Sequence, residues 1–199
     1  DRSKFYRNVF RTDRCMMWPK DADGEWVEPF NPMHDGRAYF TENNAYIFNW
    51  DVKHDLKGLI DLMGGRKKAE AKLDELFHMG VGTAKFRFYN VLPDATGLMG
   101  MFQMGNEPSF HIPYLYNYVG SPWKTQKYIH SLIDTYFIDS YLGMPGDEDG
   151  GGMSAFVVFS MMGFFPVTPG TTNYVIGSPF FEKTTLHLPD GRTFTVKAK

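Results

Sequence analysis

The chain contains a single cysteine, Cys15, among its 199 residues, so no internal disulfide bond can form. It also lacks an excess of either charge, because 21 Lys and Arg residues against 23 Asp and Glu residues give a net charge of -2. The basic residues are dispersed, which removes the electrostatic argument for a nucleic-acid partner. No apolar run approaches the roughly 20 residues that a membrane helix needs, so no membrane span is expected. What is present is a globular composition, with 43% hydrophobic and 17% aromatic residues to supply a core.

Helical patterns dominate the chain up to residue 164. One begins with Thr41 as the expected N-cap and ends at the glycine pair after Met63. Periodic apolar residues predict a second helix at 66–79 and another that begins at Pro122 and continues to Tyr136. Residues 109–119 predict a short aromatic helix. The last helix, at 153–162, is apolar on nearly all sides, so we expect it to be buried.

The composition changes after residue 165 to Pro, Gly, Thr and Val with alternating apolar positions. This pattern predicts strands at 174–176, 184–188 and 193–196, the last two joined by a Pro-Asp-Gly turn. Residues 11–40, by contrast, have turn residues without a period and predict a long ordered loop. We therefore expect an α+β chain, with a helical region in residues 1–164 followed by the start of a β region in residues 165–199.

A glycine-rich acidic loop at residues 145–154 is the most informative stretch of the sequence. It reads PGDEDGGGMS and places Asp147 and Asp149 directly before the last helical pattern. Three adjacent acids repel one another unless a cation, a proton or a hydroxylated ligand offsets their charge. The loop therefore indicates chemistry or ligand binding, and the alternative is an exposed turn in which Asp149 caps the helix.

Two other stretches carry groups suited to chemistry. Glu42 lies at a helix start among aromatic residues that would desolvate its carboxyl group, as a general acid requires. The alternative is a glutamate placed in the first helical turn by the macrodipole. Residues 105–111 offer the amide of Asn106, the carboxylate of Glu107 and the imidazole of His111, which suit sugar hydroxyls or a hard cation. The alternative for this loop is a helix cap with a core histidine.

An acid on one loop and a pair of carboxylates on another are what glycoside hydrolysis requires. Aromatic residues, Tyr46 among them, are suited to stacking on pyranose rings. Aromatic richness by itself is mostly a property of cores, so this second feature supports the hypothesis only together with the first.

Four motifs occur in a fixed order along the chain. They are GNEPS at 105–109, HIPYLYNY at 111–118, PGDEDGG at 145–151 and YVIGSP at 174–179. In content and order they resemble the calcium-dependent exo-α-mannosidases of glycoside hydrolase family 92, and the resemblance extends over nearly the whole chain. It implies the C-terminal catalytic portion of such an enzyme, with the later helical hairpins of an (α/α)6 toroid followed by strands of a C-terminal β region. The implied partner is an N-terminal β-sandwich domain of the same protein.

The resemblance also implies roles for individual residues. Glu42 matches the general acid, while Asp147 and Asp149 match the carboxylates that activate water, with Asp149 favoured as the base. Asn106 and Glu107 lie in the motif that would bind Ca²⁺ and substrate.

The implied reaction is the inverting release of terminal α-linked mannose, of the α-1,2 type, from a mannose-containing glycan. His111 and Tyr46 are expected to contribute to sugar binding. Degradation of N-glycans in an extracytoplasmic setting (periplasmic, cell-surface or secreted) follows from the same family resemblance.

The alternative is a non-catalytic glycan-binding or structural relative with a degraded pocket. It is favoured by six departures from the family's motifs, where polar or indole side chains are replaced by Tyr46, Ile47, Met104, Phe110, Gly152 and Phe156. Each change removes a group that is able to hydrogen-bond a sugar.

Overall fold

The computed structural model describes residues 1–198 as helices combined with short antiparallel pairs of strands. The α-helices are α1 (Gly36–Tyr39), α2 (Ala45–Phe48), α3 (Leu56–Leu62), α4 (Arg66–His78), α5 (Lys85–Val91), α6 (Tyr116–Val119), α7 (Pro122–Tyr136) and α8 (Gly152–Met162). Short 3-10 helices occupy Arg2–Val9, Lys53–Asp55, Glu107–Ser109 and Ile112–Leu115. The strands pair as β1 (Phe10–Arg11) with β2 (Met16–Met17), β3 (Leu98–Met99) with β4 (Phe102–Gln103), β5 (Phe164–Phe165) with β6 (Val175–Ile176), and β7 (Lys183–His187) with β8 (Thr193–Lys197).

The helices with the clearest periodicity are found where the sequence predicts them. α4 buries Leu73, Leu76 and Phe77 on one face, as its apolar spacing requires. α7 begins at Pro122, which suits a first-turn position because its missing N–H would have no partner within the helix. The helical part of the predicted fold is confirmed in these segments.

The region after residue 40 differs from the prediction. Thr41 is not the N-cap; the cap is Asn44, whose Oδ1 accepts a hydrogen bond from the Ile47 amide at 3.3 Å. An asparagine side chain caps at least as well as threonine, so the helix starts later and α2 has only four residues. Glu42 therefore lies in the bend before the helix, and the interpretation as a first-turn glutamate is wrong. Glu42 is also exposed, so the expectation that aromatic neighbours desolvate its carboxyl group is wrong as well.

Other segments are less regular than the sequence predicts. α8 is not buried all round, because Met153 and Phe156 face the core while Val158 is exposed. The expected helix at 109–119 is divided into 3-10 segments and α6, and Pro113 lies within the second 3-10 segment. α5 and the β3–β4 hairpin were missed because such short segments show too few periods to be recognised.

Aromatic stacking forms the centre of the core. The ring of Phe77 lies 4.1 Å from that of Tyr128 and 4.7 Å from that of Phe102, measured between centroids, which joins α4, α7 and β4. The hydroxyl of Tyr116 donates to Asp74 at 2.9 Å and ties α6 to α4. This packing fixes the end of β4, from which the loop at residues 105–109 emerges.

The change from helices to strands occurs where the sequence predicts it. β5 begins at Phe164 and the Phe165 ring stacks on Tyr114 at 4.7 Å, so the first strands pack on the helical part. The β7–β8 hairpin is also found, with Gly191 at φ 80 in its turn. The division at residues 164 and 165 into separate units stays a prediction. Among residues 1–198, no helix has the length and apolar character needed to cross a membrane.

Candidate active site

Glycines bring two of the predicted loops into direct contact. A Cβ atom on Gly146 would lie 2.1 Å from the carbonyl oxygen of Gly105, a distance that no side chain permits. A Cβ atom on Gly105 would likewise lie 2.9 Å from the carbonyl oxygen of Pro145. The acidic loop at 145–151 is therefore held with its backbone against the loop at 105–109.

A third segment, around Glu42, meets the same place. The side-chain nitrogen Nδ2 of Asn106 donates a hydrogen bond to Glu42 Oε2 at 3.3 Å, although the two residues are 64 positions apart in the sequence. Behind Glu42, Gly36 packs so closely on the chain that a Cβ atom there would lie 2.2 Å from the carbonyl oxygen of Asn43. The bend that carries Glu42 is thus supported from one side and hydrogen-bonded on the other.

Glu107 lies where these segments converge. Burial has the largest effect on its pKa and raises it, a backbone hydrogen bond lowers it, and the neighbouring Asp149 carboxyl group and the charge of Glu42 raise it, so that the pKa is raised on balance. Glu107 therefore keeps a proton to higher pH than an ordinary glutamate does, and while protonated it can donate a hydrogen bond to Asp149. The structure brings Glu42, Asn106, Glu107 and Asp149 together, and we call these four residues the carboxylate cluster.

Two members of the carboxylate cluster have unusual backbone conformations. Among residues 1–198, the non-glycine residues with positive φ are Cys15 at 52°, Glu42 at 63° and Asp149 at 49°. Such conformations cost on the order of 1–3 kcal/mol and persist only where the surrounding structure imposes them. Strain of this kind concentrates at functional sites, and here it falls on the residues predicted to be acid and base.

The three carboxylates of the acidic loop lie in different surroundings. Both carboxylate oxygens of Glu148 lie 3.2 Å from the amide nitrogen of Ser154, in the first turn of α8. The N-cap position of α8 is Gly151, and Glu148 supplies the acceptor for its first turn from outside the helix, so the interpretation of Asp149 as the cap is wrong. Asp149 is left to face Glu107, while Asp147 is exposed in the same loop. Sequence analysis missed Glu148, although an acid shortly before a helical run is a recognisable capping signal.

The structure does not bring His111 or Tyr46 to the carboxylate cluster. His111 is 2% exposed and its Nε2–H donates to the carbonyl oxygen of Trp50 at 2.8 Å, the arrangement of a core histidine. Tyr46 lines a separate depression of about 350 Å³ together with Trp18 and Lys72. The predicted contribution of both residues to sugar binding gains no support from these positions.

The oxygen donors of the carboxylate cluster fit a hard cation in kind. Asn106 Oδ1 is buried and has no hydrogen-bond partner, and the carboxylate of Glu107 follows it in sequence. Calcium takes 6 to 8 oxygen ligands, so water and sugar hydroxyls would have to complete its coordination. Within residues 1–198, no group of three or more His, Cys, Asp or Glu residues converges as a ready-made metal site.

The departures from the family motifs are mostly in the core. Four of the six, Ile47, Met104, Phe110 and Phe156, are buried, so they do not line an open pocket, and Tyr46 lines the separate depression described above. Gly152 is different, because a Cβ atom there would lie 3.6 Å from Cγ of Glu107. Of the six positions, Gly152 is therefore the one where a side chain would reach the carboxylate cluster.

Comparison with known sequences shows the family of this chain. The family model described as "Glycosyl hydrolase family 92 catalytic domain" matches residues 1–199. A protein of Arthroderma benhamiae, described as an uncharacterized secreted glycosidase, is 39% identical and covers 98% of this chain with 26% of its own length.

Solved structures of Bacteroides thetaiotaomicron proteins show the same fold. A family GH92 α-mannosidase is 33% identical, with a TM-score of 0.82 over 96% of this chain and 24% of its own. A structure described as a family GH92 inverting mannosidase is 40% identical, with a TM-score of 0.80 over 98% of this chain and 27% of its own. The chain thus spans about a quarter of the length of these relatives.

Proposed function

This chain belongs to glycosyl hydrolase family 92, and from that premise we propose that it carries the hydrolytic site of an inverting exo-α-mannosidase. The observation that carries the proposal is the meeting of the loops of Glu42 and Asp149 at residues 105–107, where the Asn106 side chain donates to Glu42 and Gly146 packs on the backbone of Gly105. The solved relatives described as α-mannosidases, one of them as inverting, support mannose as the sugar.

Glu42 would act as the general acid. Its carboxyl group protonates the glycosidic oxygen as the bond to the anomeric carbon breaks, so that the aglycone leaves as an alcohol. The hydrogen bond from Asn106 to Oε2 fixes the orientation of this carboxyl group. Oε1 would then be the oxygen that faces the leaving group.

Asp149 would act as the general base. It removes a proton from a water molecule that attacks the anomeric carbon on the face opposite the leaving group, which inverts the configuration. An inverting pair of carboxyl groups stands about 6.5–9.5 Å apart, to leave room for that water. Asp147, exposed in the same loop, would assist in orienting the water.

Calcium is the proposed cofactor, held by Asn106 Oδ1 and the carboxylate of Glu107. When bound, it supplies positive charge that positions the sugar hydroxyls and offsets the acids around it. Glu107 must lose its proton to become a ligand, and its raised pKa makes that loss costly in acid. Affinity for calcium should therefore fall as the pH drops.

We propose the finer features of the enzyme on family grounds. These are α-1,2 specificity, N-glycans as substrates, an (α/α)6 toroid completed by further chain, and an N-terminal β-sandwich domain. The relatives are long enough to contain the last two features, because this chain spans only about a quarter of their length. The description of one relative as secreted supports a location outside the cytoplasm.

The test uses two substitutions in the protein that carries this chain. Asp149→Asn keeps the shape of the side chain but removes the base, and should lower kcat by about 10² to 10⁴. Glu42→Gln should be as damaging on an α-1,2-linked mannobiose, and far milder on an aryl mannoside whose leaving group departs without protonation. Mannose release is measured on both substrates, with the exposed Asp139→Asn as the matched control.

Several outcomes would overturn parts of the proposal. Equal losses on both substrates would make Glu42 a binding residue, and full activity in Asp149→Asn would exclude it as the base. The first product anomer, observed by NMR, must be β-mannose if the reaction inverts. A calcium chelator should abolish turnover, and activity that persists in its presence excludes the calcium proposal.

A glycan-binding protein without catalysis is the second candidate, because Gly152 places no side chain beside Glu107. It would bind mannosides and release no mannose. In that case Gly152→Gln, which adds an amide beside Glu107, should strengthen binding. An active wild-type protein excludes this candidate directly.

A further inference from the structure

The turn that carries Asp149 has a backbone conformation that is costly to hold. Asp149, Gly150 and Gly151 have φ values of 49°, 67° and 94°, so three consecutive residues occupy the left-handed region. Asp149 has a Cβ atom that is strained there, and glycines lose more conformational entropy on ordering than any other residue. The turn therefore needs an external restraint to hold one conformation.

Glu148 supplies two restraints at the start of this turn. Its side chain accepts from the Ser154 amide with each oxygen at 3.2 Å, and its carbonyl oxygen accepts from the Met153 amide at 3.3 Å. A negative group at this end of α8 is also favoured by the helix macrodipole. One residue is thus attached to the helix by its side chain and its main chain together.

The other side of the loop is fixed independently. Gly146 packs on the backbone of Gly105, and the carbonyl oxygen of Asp149 accepts from the Gly152 amide at 3.4 Å. With both sides of the loop held in this way, the Asp149 carboxyl group lies beside Glu107. Release of the Glu148 side chain would free Asp149 to return to an unstrained conformation and move its carboxyl group.

We propose that Glu148 is the positioning residue for Asp149, acting through its hydrogen bonds to the start of α8. The proposal rests on the proposed function, in that Asp149 is the base whose position matters. A displacement of a reacting group by about 1 Å can cost on the order of 100-fold in rate. The acceptor oxygen of Glu148 holds the turn in place, and its charge adds only the smaller macrodipole contribution.

The experiment compares Glu148→Ala with Glu148→Gln in the full protein. Glu148→Ala removes the acceptor and should lower kcat by about 10- to 100-fold while KM is unchanged. Glu148→Gln retains a carbonyl oxygen for the Ser154 amide and should keep most of the activity. Hydrogen exchange of the Ser154 amide should accelerate in Glu148→Ala and stay slow in Glu148→Gln. Asp139→Ala, which removes an exposed acid, is the matched control.

Three outcomes would overturn the proposal. They are an unchanged exchange rate at Ser154 in Glu148→Ala, an equal loss of kcat in both variants, and a loss explained fully by a smaller folded fraction. An inactive wild-type protein would instead contradict the proposed function. The exchange measurement separates the two failures, because it reports on the turn without any turnover.

Discussion

At the scale of single residues, buried titratable groups that lack a hydrogen-bond partner decide how the stability of the molecule depends on pH. His111 is the clearest case, because its Nε2–H is used by the Trp50 carbonyl and its Nδ1 is buried with no partner. A proton added to Nδ1 would find no acceptor. Burial therefore lowers the pKa of His111 to about 4, and the imidazole stays neutral in the native state at neutral pH.

This buried imidazole predicts a loss of stability in mild acid. An unfolded histidine has a pKa of about 6.5, so between that value and about 4 the unfolded chain binds a proton that the native state does not. Stability contributed by His111 is complete above the unfolded pKa and is lost as pH falls through this window, by up to about 1.4 kcal/mol per pH unit. His111→Gln, whose amide can still donate to Trp50, should flatten that dependence in urea unfolding.

The exposed His187→Gln removes an imidazole without changing the core, and serves as the control. A slope in His111→Gln as steep as in the wild type would assign the acid sensitivity to carboxyl groups instead.

Single residues also show what the sequence could predict. The motifs identified Asn106, Glu107 and Asp149, the family resemblance added Glu42, and the structure brings these four together. Their neighbours were not predictable, because the contact of Asn106 with Glu42 joins positions 64 apart and depends on how α2 and β4 pack. His111 looked like a site residue because a histidine near a motif has the right chemistry, while only packing shows that it is buried.

At the scale of elements, the periodicity of apolar residues predicted the long amphipathic helices and their buried faces. α4 and α7 have three or more turns of repeated apolar residues, so their faces could be read from the sequence. α8 is apolar on nearly all sides, so the spacing of its apolar residues gave no information on which face is buried. The turn before α8 was recognised as glycine-rich, but the acceptor that Glu148 supplies requires a close approach that composition does not show.

The start of α8 allows a matched pair of glycine substitutions. Gly151 has φ 94, and a Cβ atom there would meet only Glu148 Oε1, at an ordinary contact distance of 4.0 Å, so Gly151→Ala adds mainly backbone strain and should destabilise by about 1–2 kcal/mol. At Gly152 the backbone is unstrained and a Cβ atom would meet Phe110 at 3.5 Å, an ordinary contact. Gly152→Ala should therefore stabilise by about 0.4–1 kcal/mol, through a smaller entropy of the unfolded chain. Urea unfolding of the two variants measures both signs, and changes of the same sign would contradict this account of the turn.

At the scale of the whole molecule, stability is distributed unevenly along the chain. Buried hydrophobic residues extend from Phe10 to Val167, and within residues 168–198 none is as deeply buried. The β7–β8 hairpin in that stretch has exposed and half-buried residues only, including the exposed Phe194. A two-stranded hairpin is at best marginally stable in water unless other elements cover it.

The hairpin should therefore open separately from the helical core. Backbone amides of β7 and β8 should exchange with solvent much faster than those of α4 and α7, because opening the hairpin exposes little apolar surface. Gly191→Ala isolates the effect, since φ 80 is strained for alanine and nothing lies within 4 Å of the new Cβ atom. The variant should accelerate exchange in β7 and β8 and leave α4 and α7 unchanged, as followed by hydrogen exchange with mass spectrometry. Equal acceleration in all four elements would show that the hairpin unfolds with the core as one cooperative unit. The exposure of Phe194 would then not indicate a hairpin that opens separately.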